Sequence, residues 1–253
     1  MLPSTPFDLT GHTVLVTGAT SGIGRETAVL LSQCGCRVVL TGRRTEQLEL
    51  TLSQMAGSHH EVEPFDLLRL EEIVEWMGAI TARHGALDGM VHCAGIRKTA
   101  GLRALSLDSL HLTFRINFDS AVMLAKGFRQ KDCRTEKSSI VFVSSVSALV
   151  GTPAAAAYSA SKAALVALSR SLAKELAREG IRVNCIAPGM VESEMTAGIR
   201  KSLSEEQFAA IVAQHPLGLG RTRDVACASV YLLSDAARWM TGQVLVVDGG
   251  YSA

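Results

Sequence analysis

Short apolar runs rich in β-branched residues recur along the chain, at 13–17 (TVLVT), 37–41 (RVVLT), 61–65, 89–93, 139–144, 182–186 and 243–247. Several are apolar on successive residues, the pattern of strands covered on both faces. Longer stretches of helical spacing separate them, among them 25–34, 71–84, 159–179 and 223–233. Alternation of this kind implies right-handed crossovers and a parallel sheet. The expected fold is therefore α/β, a doubly wound parallel sheet with helices on both faces. A composition that is 47% hydrophobic over 253 residues supplies the core such a sheet needs. With no internal repeat and no linker-like break, one domain over 1–253 is expected.

One segment departs from the alternation. Residues 190–216 are helical in pattern, and Met190, Met195, Ile199, Phe208 and Ile211 would give them an apolar face. Long excursions from a compact domain are often functional, so a substrate lid or loop is expected there. A net charge of +1 offers no footprint for nucleic acid or an anionic membrane surface. No apolar run reaches the length of a membrane span, and MLPSTPFDLTG lacks the basic start and apolar core of a signal peptide. Cys34, Cys36, Cys93, Cys133, Cys185 and Cys227 show no CxxC spacing and sit mostly in apolar contexts. They read as buried, reduced thiols of a cytoplasmic protein. The histidines include no HExxH, so no metal site is expected.

The first strand runs straight into TGATSGIGRETAVLLSQCG, where Gly18, Gly22 and Gly24 occupy the turn and a helix opens around 23–25. A dinucleotide needs this arrangement: backbone must approach the pyrophosphate closely, and free helix N–H groups must point at it. The spacing is G-x3-G-x-G rather than G-x-G-x-x-G, and a merely tight strand-to-helix turn would also be glycine-rich. The second strand bears on the choice of cofactor. A fold that prefers NAD usually ends it with an acid bonded to the adenosine ribose; here Gly42 stands there, followed by Arg43 and Arg44. Guanidinium suits a ribose phosphate by charge and fork geometry, which favours NADP(H) over NAD(H). Two arginines capping a strand on a solvated surface would look the same.

Farther along, GTPAAAAYSASKAAL sets Tyr158 and Lys162 one helical turn apart, so both can face one ligand. A tyrosine with a pKa of about 10 is a poor proton shuttle at neutral pH, and a neighbouring ammonium favours its phenolate. Taken alone, the pair reads equally well as a half-buried tyrosine beside a solvated lysine. Ser144, Ser145 and Ser147 all offer hydroxyls at the end of the preceding strand, and periodicity does not choose among them.

Together these motifs resemble the short-chain dehydrogenase/reductase family over essentially the whole chain. TGATSGIG, with Thr20, Ser21 and Ile23 between its glycines, is similar to that family's cofactor loop, and Asp66-Leu67 to its adenine-contacting pair. Asn117 in FRINFDS matches its helix asparagine. Ser145, thirteen residues before Tyr158, matches its catalytic serine, and YSASK supplies Tyr-x-x-x-Lys. RVNCIAPGMVES and the terminal GQVLVVDGGYS are also characteristic. The resemblance implies a Rossmann-type sheet of mostly seven parallel strands. It further implies an NADP(H)-dependent oxidoreductase, with NAD(H) as the alternative, that interconverts a ketone and a secondary alcohol. In that reading Tyr158 gives or takes the proton, Lys162 binds the nicotinamide ribose and stabilises the phenolate, Ser145 bonds the substrate oxygen and Asn117 holds a relay water. Further cofactor contacts are implied at Cys93, Ala94, Gly95, Pro188, Gly189, Val191 and Ser193. Two departures stand out. His92-Cys93-Ala94-Gly95 replaces the usual Asn-Asn-Ala-Gly, and His92 is expected to be a hydrogen-bonded structural residue rather than a base. Ser193 stands where a threonine usually meets the nicotinamide carboxamide, and keeps the hydroxyl.

The substrate is less defined. Members that reduce 3-oxoacyl thioesters on acyl carrier protein usually carry basic residues beside the active-site entrance. Glu136 and Glu179 fall at those positions here, with Arg134, Lys137 and Arg178 adjacent, and acids would repel the carrier's acidic helix. A sugar, polyol or other small alcohol is the alternative, and the apolar 190–211 stretch suggests a partly hydrophobic substrate. The resemblance also implies a homotetramer or homodimer, with the 159–179 helix and the C-terminal strand at interfaces. A non-catalytic, NADP-binding sensor is the rival reading; the intact Asn117, Ser145, Tyr158 and Lys162 set argues against it.

Overall fold

The computed structural model describes residues 5–201 and 203–253. The first four residues of the N-terminal stretch, and residue 202 of the 190–216 segment, lie outside the described residues. Strand β1 (Thr13–Thr17) leads into α1 (Gly22–Gln33), β2 (Arg37–Thr41) into α2 (Thr45–Leu52), and β3 (Glu61–Val62) into α3 (Ile73–His84). After β4 (Leu87–His92) come α4 (Leu107–Phe114) and α5 (Ser120–Phe128), and after β5 (Arg134–Val143) comes α6 (Ala156–Leu176). The last part holds β6 (Ile181–Pro188), β7 (Val191–Glu192), α7 (Glu194–Arg200), α8 (Glu205–Ala213), β8 (Gly220–Arg221), α9 (Thr222–Leu233) and β9 (Val244–Val247).

Seven strands form one sheet in the order β3-β2-β1-β4-β5-β6-β9, with every pairing parallel. Successive residues of a strand point to opposite faces, so each strand feeds two cores. Val14, Val16, Val38, Leu40, Val141 and Ile186 pack with α1 and α9 on one side. Leu15, Val39, Met90, Ile140, Phe142 and Val183 pack with α3, α5 and α6 on the other. This double coverage is why the strands read as near-continuous apolar runs.

The differences from expectation are local. The third strand is limited to two residues, and β5 begins well before 139. The 190–216 segment carries α7 and α8 but also β7, which pairs in parallel with β8 as a separate two-stranded ladder. Between α4 and α5 the helix widens to a π turn over Arg115–Asp119. The thiols are less uniformly sequestered than expected: Cys227 is exposed, and Cys34 and Cys93 are partly so.

Candidate active site

The strand order reverses between β1 and β4, and in open α/β sheets ligands bind outside the carboxyl ends of the strands at such a reversal. Two adjoining cavities open there. The first, of about 300 Å³, is lined by the loop residues Gly18, Thr20, Ser21, Gly22, Ile23 and Gly24. Gly18 takes φ +67°, and a Cβ there would come within 2.8 Å of the Ala94 backbone; one on Gly24 would run into the Gly18 carbonyl. The turn is therefore pressed against both its helix and the loop after β4, leaving no room for a side chain at Gly18 or Gly24. Ser21, at the N-cap of α1, makes no side-chain cap bond, so the first helical N–H groups remain available. The groove continues past Arg43 and Arg44 on one side and Asp66 and Leu67 on the other, and reaches Cys93, Ala94 and Gly95. Arg44 donates to Thr20 Oγ1 at 3.2 Å, whereas Arg43 is exposed and makes no hydrogen bond or ion pair among the described residues. This glycine cradle with a basic far end fits a dinucleotide.

The second cavity, of about 500 Å³, shares Ile23, Cys93, Gly95, Ser193 and Met195 with the first. Ser145, Tyr158 and Lys162 line it, as do Pro188, Gly189 and Val191. Hydrogen bonding separates the three candidate serines. Ser144 donates to the Lys162 carbonyl at 2.8 Å, and Ser147 accepts from Thr152 at 3.2 Å. Ser145 Oγ accepts from the Ser147 N–H at 3.2 Å and is the serine whose hydroxyl acts on the Tyr158 phenol.

Burial pushes the Tyr158 phenol above its ordinary value; the Ser145 hydroxyl and the Arg97 guanidinium pull the other way. Lys162, the expected tuner, lines the same cavity. Its Nζ lies 5.9 Å from the ring centroid and donates to the Val143 carbonyl at 2.8 Å. Burial lowers the Lys162 ammonium to about 8. One of its three protons is engaged, which leaves two for a ligand.

Asn117 sits fully buried in the π turn, a wide turn that recurs at functional sites. Its Oδ1 accepts from the Ile96 N–H at 2.8 Å; its Nδ2 donates to the Ile96 carbonyl at 3.0 Å and to Ser161 Oγ at 2.9 Å. The amide thus clamps the chain just beyond Gly95, and one Oδ1 lone pair is left. A methyl at Gly95 would lie 3.1 Å from that Oδ1 and 3.2 Å from Lys162 Nζ, so the three groups meet at one point.

Other expectations need correction. His92 is structural but only half satisfied: Nδ1 bonds Thr17 Oγ1 at 2.9 Å, and Nε2 is buried without a partner among the described residues. Burial lowers this imidazole to about 3. Ser193 lines both cavities, yet its hydroxyl also caps α7 by accepting from the Thr196 N–H at 3.3 Å. Glu136 and Glu179 do not stand beside this chain's own cavity. Glu136 lies near the start of β5 and Ser145 beyond its end, a run of roughly 30 Å at strand rise. Glu179 follows the far end of α6 and is paired with Arg129 and Arg134 at 2.6 and 3.1 Å. The objection to carrier docking drawn from these acids therefore lapses for this site.

Two features escaped the motif reading. Glu194 borders the phosphate loop and faces Arg25 at 3.5 Å, joining α7 to α1. Arg97 enters the catalytic cavity over the Tyr158 ring, its Cζ 5.6 Å from the centroid. A charged residue two positions past Gly95, where the loop after a central strand meets the ligand crevice, was the available signal.

A family model described as enoyl-(acyl carrier protein) reductase matches residues 18–252. The 3-oxoacyl-[acyl-carrier-protein] reductase FabG of Rickettsia prowazekii (strain Madrid E) is 36% identical over 246 residues, covering 96% of this chain and 98% of its own. An actinorhodin polyketide ketoreductase variant solved with NADPH superposes with TM-score 0.89 at 33% identity, covering 95% and 97% of the two chains. A structure described as a putative NAD(P)-dependent gluconate 5-dehydrogenase from Beutenbergia cavernae, with bound NADP, gives TM-score 0.90 at 35% identity and 98% and 99% coverage. The chain belongs to the short-chain dehydrogenase/reductase family and is an oxidoreductase acting on CH–OH groups with a nicotinamide cofactor.

Proposed function

We propose that the protein is a single-domain, NADP(H)-preferring enzyme that interconverts a ketone and a secondary alcohol, with Tyr158 as proton donor in reduction. The convergence of Ser145, Tyr158 and Lys162 on one cavity that adjoins the glycine cradle carries this reading. When bound, the nicotinamide supplies the hydride. Ser145 holds the substrate oxygen, and Tyr158, whose phenol burial keeps protonated, gives its proton to that oxygen as negative charge develops. Lys162 binds ribose hydroxyls with its two remaining donors. A water on the open lone pair of Asn117 would return a proton toward the Lys162–Tyr158 pair. Arg43 and Arg44, without a competing acid at Gly42, favour the 2′-phosphorylated cofactor. The cofactor-bound neighbours support NADP(H) use.

The named activity of the Rickettsia relative makes 3-oxoacyl thioesters one substrate class to test, and the Beutenbergia likeness makes sugar acids another. The test is NADPH oxidation against a panel holding both, with NADH in parallel. Tyr158→Phe is expected to lose at least about a thousandfold in kcat, in the range of a removed acid–base group, while still binding NADPH by fluorescence. Retained turnover in Tyr158→Phe would refute the assigned role. Binding of NADPH without turnover of any ketone would favour the sensor.

A further inference from the structure

Among the described residues, the catalytic cavity holds one guanidinium that no acid pairs. Arg97 lies on the loop after β4, with its guanidinium above the Tyr158 ring. Its Nε is shut off from solvent without a hydrogen-bond partner, and none of its nitrogens makes a hydrogen bond or ion pair among the described residues. The other candidates in the cavity are engaged. Lys162 bonds Val143 and keeps its two remaining donors for the cofactor ribose in the reading above, and the His215 ring bonds the Ile211 carbonyl at 3.0 Å and the Met190 N–H at 3.2 Å. No aspartate or glutamate lines the cavity. A half-buried guanidinium with unspent donors is costly unless a ligand pairs with it, and its planar fork matches a carboxylate with two parallel bonds.

We propose that Arg97 determines specificity by binding a carboxylate of the substrate, so that the ketone reduced at Tyr158 is a small oxo acid and the alcohol its hydroxy acid. The inference rests on the ketone–alcohol reading above. Guanidinium and phenol ring are neighbours in one cavity, so carboxylate and carbonyl belong to the same small molecule, separated by a short carbon chain. Thr99, Thr152 and Gln214 complete a polar rim that suits hydroxyls on that chain.

The experiment compares oxo acids of graded length with their primary amides, in the parent, Arg97→Met and Arg97→Lys. Calorimetric titration of the hydroxy acids into each protein saturated with NADP+ is run alongside. The parent is expected to favour acid over amide in kcat/KM by about 10- to 100-fold, the range of a charge-assisted hydrogen-bonded pair. Arg97→Met should collapse that ratio by the same factor and abolish the calorimetric signal. Arg97→Lys should restore part of both, since charge returns without the fork. Acid and amide slowed alike in Arg97→Met, at an unchanged ratio, would overturn the proposal and leave Arg97 as a residue acting through Tyr158. So would better turnover of uncharged 3-oxoacyl thioesters than of any oxo acid, an outcome that leaves the oxidoreductase reading standing. Absence of turnover for every ketone would remove that reading instead. Calorimetry then decides for Arg97: carboxylate binding lost in Arg97→Met supports the assignment, and no binding in the parent overturns it.

Discussion

Burial and charge act in opposite senses on Tyr158, and burial is the larger influence, so the phenol keeps its proton until a developing alkoxide draws it. His92 shows the same physics without catalysis. Its imidazole falls from 6.5 in the unfolded chain to about 3 in the fold, so the unfolded state binds the extra proton between those values. The stability this contributes is complete above 6.5 and is lost as pH falls toward 3. Thermal denaturation of the parent should therefore show a Tm that drops more steeply below pH 6.5 than in His92→Asn, which has no proton to take up; parallel curves would exclude His92 as the acid-sensitive group. Arg43 is a cation of the cofactor groove without a hydrogen bond or ion pair among the described residues. Arg43→Ala should raise the Kd for NADPH by about 10- to 100-fold, in the range of one charge-assisted contact, and leave NADH nearly unchanged. Equal affinity of the parent for both cofactors would end that argument.

Among the elements, the catalytic helix is legible in the sequence, and the long-range contacts that set its side chains are not. The spacing of Tyr158 and Lys162 on α6 follows from helical geometry alone. The bond from Lys162 to Val143 joins residues 19 positions apart, and the clamp of Asn117 on Ile96 spans 21, so neither is visible to a local pattern. The π turn that aims Asn117 has no compositional mark. The excursion after β6 is legible as a helical segment outside the strand alternation, but the β7–β8 pairing that closes it is not. Helix α8 has no fully buried residue, although Ser204 and Gln207 form a complete capping box at its start. Such a helix opens at low cost. Amide exchange over 205–213 should be faster than over β5 by at least about two orders of magnitude, and should slow when NADPH and a bound acid are added. Matching protection in the two elements would contradict a lid.

For the whole molecule, the sheet is readable because buried parallel strands are apolar on both faces; β3 is legible within 61–65 although it pairs over two residues, and only the β7–β8 ladder is too short to show. What the chain leaves outside is equally informative. Strand β9 is an edge of the sheet, Val246 on it is 40% exposed, and nearby in sequence Trp239 is 94% exposed. Edges and large apolar side chains in that condition invite cover by a second copy. Sedimentation of the parent at micromolar concentration should show an oligomer, and Val246→Lys should shift it to a smaller species; a monomeric parent would rule this out.

The ladder of β7 and β8 has a wider consequence. Val191 beside Gly220 and Glu192 beside Arg221 hold the two ends of the excursion together, like the neck of a purse. With its ends already closed by the fold, changing the length of the enclosed chain costs only about 0.6 kcal/mol per doubling. The stretch over the cavity can then be lengthened, shortened or exchanged for another while the sheet, the glycine cradle and the Tyr158–Lys162 pair stay as they are. An engineer seeking a different alcohol has a natural place to cut.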